Sequence, residues 1–152
     1  MELHGSTLVV VADGARARLF EERVRGGPLT EISDRLGDLS ASGPRGSGHS
    51  GRVFDRFGSG SHTTGGDSPK VRDEAAFVSR LAGRLDAVVA HGRFEEAVLI
   101  AAPRALGGLR AALSGALAKR VQGSEAADRC SETADEIRAA LRHIRLGRAE
   151  RA

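Results

Sequence analysis

The sequence predicts an α/β fold built on a mixed five-stranded sheet with helices packed against it. Two observations favour this class. Residues 7–33 hold short apolar or alternating runs separated by glycine-containing turns, which is typical of strands and hairpins. After residue 70 the apolar residues recur at steps of three and four, typical of amphipathic helices, on either side of one continuous apolar run.

Three strands are predicted in the first third of the chain. Residues 7–12 are strongly β-prone, Asp13-Gly14 suits a two-residue hairpin turn, and residues 15–23 alternate as a second strand. A third short strand is expected over residues 29–33, after the Gly26-Gly27-Pro28 turn. Together these elements predict an antiparallel meander.

The elements after residue 70 alternate between helix and strand. A helix is expected over residues 71–90, and residues 96–102 read as an interior strand covered on both faces. Pro103 begins a helix whose apolar stripe is Leu106, Leu109, Leu113 and Leu117. A weak strand near residues 119–122 and a capping box, Thr133 with Glu136, before a last helix complete the chain.

The predicted order is therefore βββαβαβα, a meander followed by right-handed crossovers. This order fits an RNase H-like topology. The length of 152 residues suits one domain over residues 1–152.

One segment interrupts the pattern. Residues 40–69 contain 8 Gly, 7 Ser and 2 Pro among 30 positions, which predicts a long flexible loop. Residues 40–72 carry five basic and two acidic side chains, a local charge of +3 that equals the formal charge of the whole chain. The net charge is thus expected to lie on this loop.

Composition excludes several classes of protein. Aromatic residues make up only 3% of the chain, so RNA readers that stack bases on aromatic platforms are disfavoured. The single cysteine, Cys130, has no partner at zinc-ligand spacing, and no metal or cofactor is expected. Residues 1–5 and the short apolar run that follows do not resemble a signal peptide or membrane span, so a cytoplasmic protein without membrane insertion is expected.

A ligand site is predicted where the first and fourth strands end. If these strands are parallel neighbours, Asp13 and the Ala102-Pro103-Arg104 turn meet at the carboxyl edge of the sheet, where open α/β sheets bind ligands. Asp13, Arg16 and Arg104 are the candidate residues, either for anion binding or for a hydrolase. The alternative is that Asp13 only shapes its turn and Pro103 only starts its helix.

A second candidate site lies in and beside the glycine-rich loop. Basic and aromatic side chains there could dock on RNA: Arg45, Arg52, Phe54, Arg56, Phe57 and Lys70. Alternatively, the two phenylalanines anchor the loop to the core. The basic tail, residues 142–152, continues a stripe of Arg138, Arg142, Arg145 and Arg148 that suits phosphates, or else a solvated helix end.

The chain resembles the bacterial host attachment protein family. The resemblance rests on residues 10–20, 29–34 and 51–55, and in the later half on residues 74–85 and 98–104. The family is also similar in fold to the middle domain of archaeo-eukaryotic peptide-release factors. In those factors a Gly-Gly-Gln loop before a helix enters the ribosome, and the corresponding place here reads Gly65-Gly66-Asp67.

The resemblance implies a role associated with RNA or the ribosome, performed as a non-catalytic binding module through the basic loop. Two alternatives remain open. One is an interaction factor that acts with a protein partner in attachment to host cells, as the family name suggests. The other is a hydrolase that works at Asp13, Arg16 and Arg104 with the loop as a lid.

Overall fold

The computed structural model describes residues 6–40 and 68–151, and within them a mixed α/β architecture. Its five strands are β1 (Ser6–Ala12), β2 (Ala17–Glu22), β3 (Leu29–Glu31), β4 (Phe94–Ala101) and β5 (Val121–Ala126). Its helices are a 3-10 helix (Ser33–Leu39), α1 (Pro69–His91), α2 (Pro103–Ala112), α3 (Gly115–Ala118) and α4 (Ala134–Arg151). The predicted mixed five-stranded sheet is confirmed.

The sheet has the spatial order β3-β2-β1-β4-β5. β1 pairs antiparallel with β2 and parallel with β4, while β5 pairs parallel with β4 at the far edge. β1 lies at the centre because its apolar side chains fill both sides of the sheet, and Leu8 to Ala12 are all at most 1% exposed. Asp13 therefore leaves β1 beside the end of β4.

Two apolar cores lie on opposite faces of the sheet. On the first face, Leu8, Val10 and Leu99 pack with buried side chains of α1 and α2. On the second face, Val9, Val11 and Ile100 pack with buried side chains of α4. The alternation of β1 between these two cores follows from the period of two in a strand.

The ends of the long helices follow the sequence signals. Ser68 caps α1, because its Oγ accepts a hydrogen bond from the backbone N–H of Val71 at 3.2 Å. The predicted capping box is confirmed at α4: Thr133 Oγ1 accepts from the N–H of Glu136, and the Glu136 carboxylate accepts from the N–H of Thr133.

Several predicted boundaries are wrong, among them residues 15–23 for β2 and 71–90 for α1, which the structure places at Ala17–Glu22 and Pro69–His91. The third strand ends at Glu31 rather than residue 33, because the chain turns there into a 3-10 helix that buries Leu36 and Leu39. Gly37 allows the kink inside that helix with its positive φ of 61°. The long helix expected from Pro103 breaks at Leu113, which is extended with ψ of 146°.

The last strand covers Val121–Ala126 rather than residues 119–122. Its sequence has little apolar character, and the strand forms because it pairs with β4 along the edge of the sheet. Gly123 also matters here, since a Cβ at this position would lie 2.8 Å from Ile144 Cγ2 of α4. The missing side chain lets α4 lie close to the edge strand.

Candidate functional site

The turn between β1 and β2 is organised by Asp13. Its Oδ1 accepts hydrogen bonds from the backbone N–H groups of Ala15 and Arg16, both at 2.7 Å. Its Oδ2 lies 3.3 Å from the guanidinium of Arg16. Both carboxylate oxygens of Asp13 therefore contribute to the turn itself, which is the alternative that the sequence left open for this residue.

Arg104 lies at the same edge of the sheet but pairs with a different acid. The backbone N–H of Ala102 donates to Ala12 O at 3.2 Å, so the turn after β4 lies beside the end of β1. The Arg104 guanidinium donates to Glu74 of α1 at 2.9 Å. A Cβ on Gly14 would lie 2.6 Å from Glu74 Cγ, so Glu74 closely approaches the Asp13-Gly14 turn.

The structure thus brings the three predicted residues to one edge and adds Glu74, which the sequence analysis did not find. Asp13 and Arg16 contact each other directly, whereas Arg104 pairs with an acid 30 residues earlier in the chain. The only sequence signal for Glu74 was its place in the first turns of a predicted helix, which also suits a solvated acid.

Arg18 links the sheet to the segment before α4. Its guanidinium makes two hydrogen bonds to the Glu31 carboxylate, both at 2.9 Å. Its Nη1 also donates to the backbone oxygens of Cys130 and Glu132, at 3.0 and 2.6 Å. The guanidinium carbon lies 5.0 Å from the centre of the Phe20 ring, a cation–π geometry. One side chain therefore fixes the chain segment that follows β5.

Cys130 lies beside two carboxylates at this edge. A ligand atom from each of Asp13, Asp128 and Cys130 lies within 4.8 Å of the others. The cluster could not be seen in the sequence, because Asp13 is far along the chain from the other two. The guanidinium groups of Arg16 and Arg18 act on the same thiol, and their positive charge opposes a bound cation. The expectation that the chain binds no metal stays a prediction.

The Cys130 thiol is held in its protonated form. Burial raises its pKa to about 12, and the negative charges of Asp13 and Asp128 act in the same direction. The residue is only 4% exposed. Because the thiolate is the nucleophile, both effects slow its reactions.

We expect native Cys130 to react with iodoacetamide at pH 8 at least about 30-fold more slowly than the same residue in denaturant. An unperturbed thiol has a pKa near 8.5, so the raised value removes roughly three orders of magnitude of thiolate, and the greater nucleophilicity of a more basic thiolate restores part of that rate. Mass spectrometry over a time course measures both rates. Native and denatured rates within tenfold of each other would contradict the prediction.

The predicted RNA-binding residues are only partly described. Lys70 is exposed in the first turn of α1, while Arg45, Arg52, Phe54, Arg56 and Phe57 lie outside the described residues. The predicted loop lies largely outside them too. Its two flanks are described: Ser40 bridges to Ala17 at the start of β2, and Ser68 caps α1. Since Ala17 pairs with Ala12, the first flank lies near the carboxyl end of β1.

Most of the arginine stripe near the carboxyl end of the sequence is tied to the sheet. Arg145 forms an ion pair with buried Glu22, Arg138 donates to the backbone oxygen of Gly26, and Arg148 donates to the side chain of Gln122. These three side chains therefore have partners within the fold, and the phosphate-binding role of the stripe stays a prediction. The predicted basic tail is helical as far as Arg151.

Residues 8–141 match the family described as "Protein required for attachment to host cells". The chain belongs to this family. The host attachment match runs from β1 into α4, so it covers both sheet faces and the edge that carries Asp13, Arg104 and Cys130. A search of curated proteins found no match.

Among the helices of residues 6–40 and 68–151, none is long and apolar enough to cross a membrane.

Proposed function

We propose that this protein is a non-catalytic binding module that binds RNA, or a ribosomal surface, through the basic segment of residues 40–72. The observation that carries the proposal is the charge of that segment, five basic against two acidic side chains. Clustered Lys and Arg favour phosphate backbones because binding releases condensed counterions. The proposal places the protein in the cytoplasm, where ribosomes are.

The folded frame supports this role. Ser40 forms a β-bridge with Ala17 of β2, and Ser68 caps α1. Each end of the segment is therefore attached to an element of the fold. Lys70 and Arg72 continue the basic character into the exposed first turn of α1. A segment held at both ends loses less conformational entropy on binding than a free tail does.

The contacts of the candidate catalytic residues favour binding over hydrolysis. Asp13 accepts two backbone hydrogen bonds and an arginine, and Arg104 is paired with Glu74. A hydrolase that forms a covalent intermediate needs an activated nucleophile, and at the described edge the Cys130 thiol is buried and protonated. We therefore place the hydrolase alternative below the binding module.

We also propose that the fold of this chain is similar to the RNase H fold and to release-factor middle domains. The mixed sheet with parallel β1, β4 and β5 is compatible with this similarity. The release-factor reaction depends on a Gly-Gly-Gln loop, whereas this chain has Gly65-Gly66-Asp67 at that place. Its only glutamine, Gln122, lies in β5 and contacts Arg148. Peptidyl-tRNA hydrolysis is accordingly not proposed.

The decisive test is the salt dependence of binding to ribosomes and to total RNA. Replacing Arg45, Arg52 and Arg56 together by Ala removes three phosphate contacts, so the slope of log K against log salt falls by about 2 to 3. Cosedimentation or fluorescence anisotropy between 50 and 300 mM salt measures the slope.

A matched control is the triple variant Arg80→Ala, Arg93→Ala and Arg120→Ala, which removes the same charge elsewhere. It should leave the slope near that of the native protein. Native protein that stays free of ribosomes and RNA at low salt would exclude the proposal, as would equal slopes for both triple variants.

The family description favours a second candidate, an interaction factor that works with a protein partner in attachment to host cells. Affinity capture with the full-length protein as bait distinguishes the RNA-binding module from the interaction factor. Affinity capture from cells that recovers envelope proteins in place of ribosomal proteins or RNA would favour the second candidate.

A further inference from the structure

A pocket of about 240 Å³ lies on the second face of the sheet, between α4, β4, β5 and the turn after β2. Its lining comprises Arg25, Val98, Gln122, Gly123, Ile144, Arg145 and Arg148. It is separate from the edge that carries Asp13 and Arg104, because Gln122 and Gly123 are near the start of β5 and that edge is at its end. No step of the proposed function uses it.

The pocket combines an apolar floor with a cationic rim. Val98 and Ile144 supply apolar surface that is continuous with the core under α4. Three arginines line it from two parts of the chain, Arg25 from the β2–β3 turn and Arg145 and Arg148 from α4. Three cations at one small pocket repel each other unless anions lie among them.

The acids at this place offset only part of that charge. Arg145 is paired with Glu22, which is buried, and Arg25 donates to Glu96 at 3.2 Å. Arg148 bonds to the neutral amide of Gln122. Three positive and two negative groups leave a net charge of +1. Arg25 and Arg148 each use one terminal nitrogen in these contacts, and a guanidinium has five N–H donors.

We propose that this pocket binds a small phosphate monoester with an apolar body. Arginine forks match the geometry of phosphate oxygens and bind them in a bidentate manner. Ile144, which is half-buried, would pack against the apolar body of the ligand, above the buried side chain of Val98. The volume of about 240 Å³ fits one ring with its phosphate and is below the usual range of sites for larger cofactors.

The test uses phenyl phosphate as the probe, titrated into the full-length protein at low salt and followed by calorimetry. Replacing Arg25 and Arg148 together by Gln should weaken binding at least tenfold, since two charge-assisted contacts are lost. Inorganic phosphate and phenol should each bind at least several-fold more weakly than phenyl phosphate, because each lacks one half of the ligand.

A second variant gives a change in the opposite direction. Glu96→Gln removes the carboxylate that competes for Arg25, so affinity for phenyl phosphate should rise severalfold, a gain that a merely structural role of Arg25 would not produce. Arg142→Gln is the control, because Arg142 is exposed on α4 and does not line the pocket. Its affinity should equal that of the native protein.

The pocket proposal can be tested independently of the proposed function. The triple variant at Arg45, Arg52 and Arg56 should bind phenyl phosphate as the native protein does. Absence of saturable binding at 10 mM phenyl phosphate would overturn the pocket proposal. So would equal affinities in the Arg25→Gln, Arg148→Gln double variant and the Arg142→Gln control.

Discussion

Replacing Arg145 by Ala should lower the free energy of unfolding by about 3 to 5 kcal/mol, the range measured when one partner of a buried ion pair is removed. Glu22 is 2% exposed, and the Arg145 guanidinium approaches its two carboxylate oxygens at 2.7 and 2.8 Å. Without Arg145 the buried carboxylate loses its charged partner and keeps the N–H of Gly26, at 2.9 Å, and the Thr7 side chain. Urea denaturation measures the loss.

Arg142→Ala is the matched control on the same helix. Arg142 is exposed, so its loss should change stability by no more than about 0.5 kcal/mol. The double variant Glu22→Met, Arg145→Met should be more stable than Arg145→Ala, because no buried charge remains unpaired. Equal losses for Arg145→Ala and Arg142→Ala would show that the pair contributes nothing.

The ion pair of Glu22 and Arg145 also makes the stability of the fold depend on pH. Burial raises the pKa of Glu22, but the hydrogen bonds from Arg145 and Gly26 outweigh burial and hold the pKa below its usual value near 4.5. A depressed carboxyl pKa stabilises the fold above that usual value, and the stabilisation disappears as pH falls through the folded value. In Arg145→Ala burial is no longer outweighed and raises the pKa of Glu22, so the stability difference between native protein and this variant should narrow as pH falls from neutral through the acidic range, as urea denaturation at several pH values measures.

Arg18→Met should destabilise the protein by about 2 to 4 kcal/mol, because charge-assisted hydrogen bonds to one carboxylate and two carbonyls are lost together. Methionine keeps much of the apolar length, so the effect reports on the guanidinium. The segment between β5 and α4 should be affected most, since Arg18 binds the backbone oxygens of Cys130 and Glu132. Amide hydrogen exchange there should become faster, in addition to the loss seen by urea denaturation.

Arg18→Lys separates charge from geometry. Lysine keeps the positive charge but cannot bind Glu31 and two carbonyls with one planar group, so it should recover less than half of the loss. Arg16→Met is the control, because the Arg16 side chain is 49% exposed. If hydrogen exchange between β5 and α4 is the same in Arg18→Met and Arg16→Met, Arg18 does not hold that segment.

Local patterns account for the parts of the fold that the sequence predicted. The apolar run of β1, the spacing of Phe77, Leu81 and Leu85 in α1, and the Thr133 capping box each depend on residues close together in the chain. β5 was placed poorly because its pairing with β4 matters more than its own composition. The 3-10 helix was missed because only tertiary packing of Leu36 and Leu39 defines it.

At the candidate site too, contacts between residues close in the sequence could be predicted and contacts between distant residues could not. The role of Asp13 in its turn is local, and an Asp-Gly pair signals it directly. The contacts of Arg18 with Cys130 and of Arg145 with Glu22 join residues more than 100 positions apart, so no spacing rule could find them. The pairing of Glu74 with Arg104 likewise needed the packing of α1 near the β4–α2 turn.

The position of α4 has a consequence for how the chain folds during synthesis. The apolar side chains of the second face, among them Val9, Phe20 and Ile100, are covered by Ile137 and Leu141 of α4. Ribosomes add roughly 5 to 20 residues per second, so this face stays exposed to water for several seconds after β1 and β2 have emerged. The apolar surface of this face is therefore covered only after α4 has been synthesised, more than 100 residues after β2.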